Sequence, residues 1–191
     1  MIDLLTKPGF QKRAVPLSVK VWHEMIAGGM VPKRSELIRG VIVEKMPKSK
    51  LHVNLVRKLV LLLRFLENSG FCVFKEDPLT LADSEPEPDV SVVEEALASL
   101  DQHASTARLV IEVAVTTLEE DREMADIYAE AGVQEFWIVN AKAQNIEVYR
   151  QPTSSGYLET EIVSLGQTLK CTSLPDVEVN VGQLFEGVPQ S

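Results

Sequence analysis

The chain has 191 residues, of which 45% are hydrophobic and 25% charged, enough apolar material for one core and too much for a disordered polypeptide. No apolar run approaches the roughly 20 residues of a membrane-spanning helix, and the N-terminal MIDLLTKPGF lacks the basic-then-apolar layout of a signal peptide, so the expected location is cytoplasmic, with no membrane contact. The net charge of −9 argues against a protein that coats nucleic acid without specificity, and two cysteines, Cys72 and Cys171, are too few for a disulfide framework or a zinc site.

Charge is unevenly distributed. Residues 33–64 contain nine Lys and Arg against Glu36 and Glu44, a local +7 that leaves −16 elsewhere. Such a run reads in two ways, as a solvated helix face with a charged hairpin or as a patch that faces phosphate.

In chain order, Leu17–Ala27 has helical spacing, with Ser18 placed as N-cap and Gly28-Gly29 as the stop. SELIRGVIVEKM predicts a hairpin turning at Arg39-Gly40. The longest helix is expected from Ser49 to Asn68, its apolar face carrying Leu51, Leu55, Leu59, Leu62 and Leu66. FCVFKED, LTLA, DVSVV and RLVIEVAV read as strands, the last two apolar enough to lie centrally in a sheet covered on both faces. Thr117 is placed to cap a helix over Leu118–Ala131, whose first turns are acidic, as the helix dipole favours. EFWIVN and NIEVYR follow as strands around a short turn, YLETEIVSL adds another, and VGQLFEG predicts a closing helical turn. Together these indicate an α/β domain spanning 1–191, with a mixed sheet flanked by helices, a core over 17–150 and a C-terminal β extension over 151–191.

Two acids interrupt this apolar pattern. Asp89 opens a strand directly after Pro88, and Glu112 lies inside RLVIEVAV, where a carboxylate needs a partner to offset desolvation. Solvent exposure of Asp89, and an arginine partner or a place at an exposed strand end for Glu112, would satisfy them separately. A divalent cation between them would satisfy both, because Mg²⁺ takes one or two carboxylates and otherwise keeps water and phosphate oxygens.

ELIRG (Glu36–Gly40), His52, SEPEPDVSVV (Ser84–Val93), IEVAVTTLEEDR (Ile111–Arg122) and YAEAGVQEFWIVN (Tyr128–Asn140) together resemble the Uma2 family, also called DUF820, over about Leu17–Arg150. The family is placed in the restriction-endonuclease-like, PD-(D/E)XK superfamily. That resemblance implies a restriction-endonuclease-like mixed sheet flanked by helices. It also implies a Mg²⁺-dependent (or Mn²⁺-dependent) endonuclease acting on DNA, with Asp89, Glu112 and Glu36 as catalytic and metal-binding residues. His52, Lys50, Arg57 and Arg122 are the candidates for the rim or for substrate contact, and a homodimer would address two strands.

The superfamily's catalytic lysine is missing: Ala114 stands at the strand position and Met124 at the helix position. Arg122, Lys48 or Lys50 could supply the cation instead. The alternative is a catalytically impaired metal-binding or protein-interaction module that kept the fold. Trp22, Trp137, Tyr128 and Phe136 read as core residues.

Overall fold

The computed structural model describes residues 8–98 and 101–189; most of the N-terminal segment read for a signal peptide, MIDLLTK, lies outside them. A short helix α1 (Pro8–Gln11) precedes α2 (Val19–Ala27), which Ser18 caps by accepting a hydrogen bond from the Val21 amide. The hairpin of β1 (Ser35–Ile38) and β2 (Val41–Glu44) turns at Arg39-Gly40, as expected. Both turn residues have positive φ, 50° and 73°, the backbone of a tight hairpin turn whose twist matches its strands. A Cβ at Gly40 would strike Pro16 and the backbone of Leu17, so the turn also sets how closely the preceding segment packs.

Helix α3 (Lys50–Leu63) starts at Ser49, whose hydroxyl accepts from the His52 amide. Its α-helical part is shorter than predicted, because residues Arg64–Asn68 tighten into a 3-10 turn. The buried stripe runs through Leu55, Val56, Leu59 and Leu63, with Leu66 continuing it. Strand β3 (Phe71–Phe74) follows, then β4 (Val90–Glu94), β5 (Leu109–Ala114), helix α4 (Leu118–Glu130), β6 (Glu135–Asn140), β7 (Asn145–Thr153) and β8 (Gly156–Val163). A small pair, β9 (Thr168–Lys170) and β10 (Glu178–Asn180), leads into α5 (Val181–Leu184).

The main sheet has the order β3-β4-β5-β6-β7-β8, and only the β5–β6 pair is parallel. That parallel pair needs a crossover, which α4 supplies. Each face carries its own apolar cluster. Leu59, Val92, Ile111, Trp137 and Val148 pack on the α3 side, with residues of the C-terminal segment such as Val177 and Phe185. On the α4 side lie Val93, Val110, Phe136, Ile138 and Tyr128. The expected mixed α/β architecture is present.

Several predicted details differ. LTLA is not a strand: the Leu79 amide bonds to Pro86 O and Leu81 to Ser84 O within its own loop, and Thr80 to Ala104 O in the β4–β5 connection, while Leu79 and Leu81 are buried. Its apolar alternation reflects burial under the loop rather than strand pairing. Thr117 precedes α4 without capping a backbone amide; its hydroxyl donates to Asp121 instead. The predicted division at residue 150 falls inside β7, and β8 pairs with β7 across the same sheet. Strands β9 and β10 have no counterpart among the predicted elements. Among the described residues, no helix is long and apolar enough to cross a membrane.

Candidate functional site

β4 and β5 are antiparallel, with Val90 opposite Ile111, which brings Asp89, just ahead of β4, beside Glu112. The Asp89 amide donates to Glu112 Oε2 at 3.2 Å. Glu112 shares the face of Val110 and Ala114, so it points toward α4, and there the buried Tyr128 hydroxyl donates to its Oε1 at 2.8 Å. Tyr128 is thus a core residue, as expected, and also the group that orients Glu112.

Asp89 is held from three sides. Lys48 Nζ donates to Oδ1 at 2.8 Å, while Oδ2 accepts from the Val113 amide at 2.9 Å and lies 2.8 Å from His52 Nε2. Lys48 comes from the segment before α3 and His52 from its first turn, so the capped start of that helix aims both groups at the strand. Burial works against a charged Asp89, but the hydrogen bonds and charge of His52 and Lys48 outweigh it and lower its pKa below the ordinary aspartate value.

Among the described residues, Glu112 has no such cation. Burial, joined by the negative charge of Asp89 and Asp121, pushes its pKa well above the usual range, and the Tyr128 hydrogen bond only partly opposes this. Asp121 on α4 belongs to the same electrostatic group. Burial raises it, the Thr117 hydrogen bond opposes, and the charges of Asp89 and Glu120 add to the rise, bringing it to about 7.

Glu36 on β1 stands at the cavity's edge. Its Oε1 accepts from the Glu87 amide at 2.8 Å and lies 2.9 Å from Lys45 Nζ, which also holds Glu87 at 2.6 Å. Together these groups line a cavity of about 720 Å³, walled by the hairpin on one side and by α4 on the other. Arg39 joins the two walls, its guanidinium binding both oxygens of Glu130 at 2.6 and 2.7 Å. Met124 lines the cavity from α4, and Ile38 and Ile127 give it apolar surface.

The predicted residues therefore divide. Asp89, Glu112, Glu36, His52 and Met124 meet at one cavity. Lys50 and Arg57 are exposed on α3 outside the cavity wall, where Arg57 donates to Asn54. Arg122 is committed elsewhere, its guanidinium paired with Glu147 at 2.6 and 2.9 Å and with Glu119 at 2.7 Å. Of the three cations considered for the missing lysine, Lys48 is the one that touches a site carboxylate. Lys45 and Asp121 were not foreseen, since each looked like one more charge in a charged segment.

Among the described residues, no three His, Cys or acidic side chains are grouped as a ready-made cation cage. Mg²⁺ does not need one, because one or two carboxylates with water and phosphate oxygens complete its shell. Asp89 Oδ1 and both oxygens of Glu112 each accept one hydrogen bond, which leaves each an acceptor lobe. The donor set is all-oxygen and over-supplied with negative charge, and it fits such an ion.

A family model described as "Uma2: Putative restriction endonuclease" matches residues 31–182. A crystal structure from Anabaena variabilis ATCC 29413, described as "a putative nuclease belonging to DUF820", is similar with a TM-score of 0.75 at 18% identity. The alignment covers 91% of this chain and 100% of that one, and the likeness is one of fold. No curated protein matches the chain.

Proposed function

The chain belongs to the Uma2 family, and from that membership we propose that it is a metal-dependent endonuclease that hydrolyses phosphodiester bonds of DNA, with Asp89 and Glu112 holding Mg²⁺ or Mn²⁺. The observation that carries this reading is the contact between Asp89, just ahead of β4, and Glu112 on β5, one kept ionised by Lys48 and His52 and the other buried without a cation of its own among the described residues.

When bound at such a pair, the ion lowers the pKa of a water molecule and offsets charge on the phosphoryl group. The rest follows from the chain's own residues. Tyr128 fixes the rotamer of Glu112, and the Val113 amide with His52 fixes Asp89, so neither carboxylate must reorganise when ligand arrives. Lys48 brings an ammonium to the cavity wall, where it serves as the cation for substrate phosphate that Met124 cannot supply. Glu36 acts at one remove, holding Lys45 and the backbone at Glu87 immediately before Pro88 and Asp89.

Met124 is the observation that favours a second reading, an impaired module with the same fold, since it places a thioether on the cavity wall where a lysine would be expected. Nicking of supercoiled plasmid by purified protein decides between them. Cleavage that requires Mg²⁺ or Mn²⁺, is lost in Glu112→Gln and falls at least about a hundredfold in Lys48→Ala supports the nuclease. Absence of wild-type cleavage together with a gain in Met124→Lys would identify the impaired module.

A further inference from the structure

A second cavity, of about 470 Å³, adjoins the first and is lined by Lys33, Arg34, Lys45, Lys48, Glu76 and Glu87. Lys45, Lys48 and Glu87 line both, so the two are neighbouring parts of one surface groove, the first rich in carboxylates and the second in cations. We propose that the Lys33 and Arg34 wall binds a backbone phosphate of the same nucleic-acid strand whose scissile phosphate lies at Asp89 and Glu112, which names the substrate's path and rests on the nuclease reading above.

This acid-rich chain commits most of its groove and sheet cations to carboxylates. Arg39 is paired with Glu130, Arg108 with Glu94, Arg122 with Glu147 and Arg150 with Glu135. Lys45 holds Glu36 and Glu87, and Lys48 holds Asp89 and Glu76, so both cations shared by the two cavities are already compensated by carboxylates. Among the described residues, Lys33 and Arg34 pair with no carboxylate, and they stand next to each other on a concave wall. Positive charge is left uncompensated at the one place where the groove continues beyond the carboxylates.

Arg34 is also held in place. Its carbonyl accepts from the Lys45 amide at 2.8 Å, which extends the hairpin pairing, and its Nη2 donates to Met46 O at 3.0 Å. The Ser35 hydroxyl closes the bend by donating to Pro32 O at 3.0 Å. The planar guanidinium keeps further N–H donors for a phosphate's oxygens, which suits a phosphodiester better than a point charge alone would. The other basic residues of the run that pair with no carboxylate among the described residues, Lys50, Arg57 and Lys58, line neither cavity, and Lys58 donates to the carbonyls of Leu184 and Glu186.

Binding of short, fluorescently labelled single-stranded DNA, followed by anisotropy across a salt series with Ca²⁺ in place of Mg²⁺ to slow cleavage, tests the assignment. Every phosphate that the protein ceases to neutralise should flatten the slope of log affinity against log salt by about 0.7 on a single strand. The Lys33→Gln, Arg34→Gln double variant is expected to flatten it by about 0.7 to 1.4, and Arg57→Gln to leave it unchanged. Both target residues are exposed at the cavity rim, and melting at the wild-type temperature checks that the fold is intact. A double variant with the wild-type slope, or an equal flattening by Arg57→Gln, overturns the phosphate path while leaving the nuclease reading standing. A wild-type protein that binds no nucleic acid overturns both.

Discussion

Glu135 and Glu112 lie on neighbouring strands of one sheet, with Glu135 level with Leu109, and their side chains leave by opposite faces. Both are set among apolar residues, yet their fates differ. Glu135 receives the Trp137 indole N–H at 2.9 Å, the Thr172 amide at 2.8 Å and hydroxyl at 2.7 Å, the Ser173 amide at 3.2 Å and Arg150 Nε at 3.2 Å. Burial disfavours its charge, but those donors outweigh it and lower its pKa. Among the described residues, Glu112 receives two donors and no cation, and its pKa is raised. Burial therefore does not decide what a carboxylate becomes. The donor count does, and a saturated carboxylate locks structure while an unsaturated one keeps capacity for a ligand.

The largest expected effect breaks the saturated centre. Glu135→Ala leaves the Arg150 guanidinium and several hydrogen-bond donors without their buried partner, and should cost about 3–5 kcal/mol in urea unfolding at neutral pH. Because the folded-state pKa of Glu135 is lowered, its contribution is fully present above the ordinary carboxylate range and is lost as pH falls through the folded value. Wild type and variant should therefore converge in acid. An undiminished gap below the ordinary carboxylate range would remove Glu135 as a charged linchpin.

A smaller effect of opposite sign sharpens the other side. Asp121, at about 7, keeps a proton in the folded chain that the unfolded chain has released, so wild-type stability should fall as pH rises from about 4 to about 7 and then level off. Asp121→Asn removes this penalty. In EDTA the variant should be more stable than wild type by about 1–2 kcal/mol at pH 8, a figure discounted for solvent and local relaxation, and nearly equal to it at pH 4. A destabilised variant at pH 8 would mean that Asp121 is satisfied in the way Glu135 is.

What could be read in advance follows the same division. The central strands β4, β5 and β6 were legible because runs such as VSVV and FWIV leave few other places to go, and Glu112 stood out as the charge that such a run should not contain. Asp89 was legible beside it through Pro88 and the strand that follows. Lys48 was one lysine among nine basic residues, and only the fold brings it to Asp89. Asp121 was hidden among acids that a helix N-terminus accepts for reasons of its own dipole. The Glu135 network draws on Thr172 and Ser173, far along the chain, and no local pattern announces such pairing. Likewise, LTLA alternates like a strand because it is buried, while its amides find partners in a loop.

If the unsaturated pair, Asp89 with Glu112, is the cation site, then metal affinity must depend on that pair and not on the saturated carboxylate of the neighbouring strand β6. Calorimetric titration of Mn²⁺ into wild type, Asp89→Asn and Glu135→Gln measures this without relying on cleavage. Wild type should bind, Asp89→Asn should bind at least about tenfold more weakly, a difference of ~1.4 kcal/mol, and Glu135→Gln should keep wild-type affinity despite its lower stability. Equal affinity in wild type and Asp89→Asn would contradict the assignment.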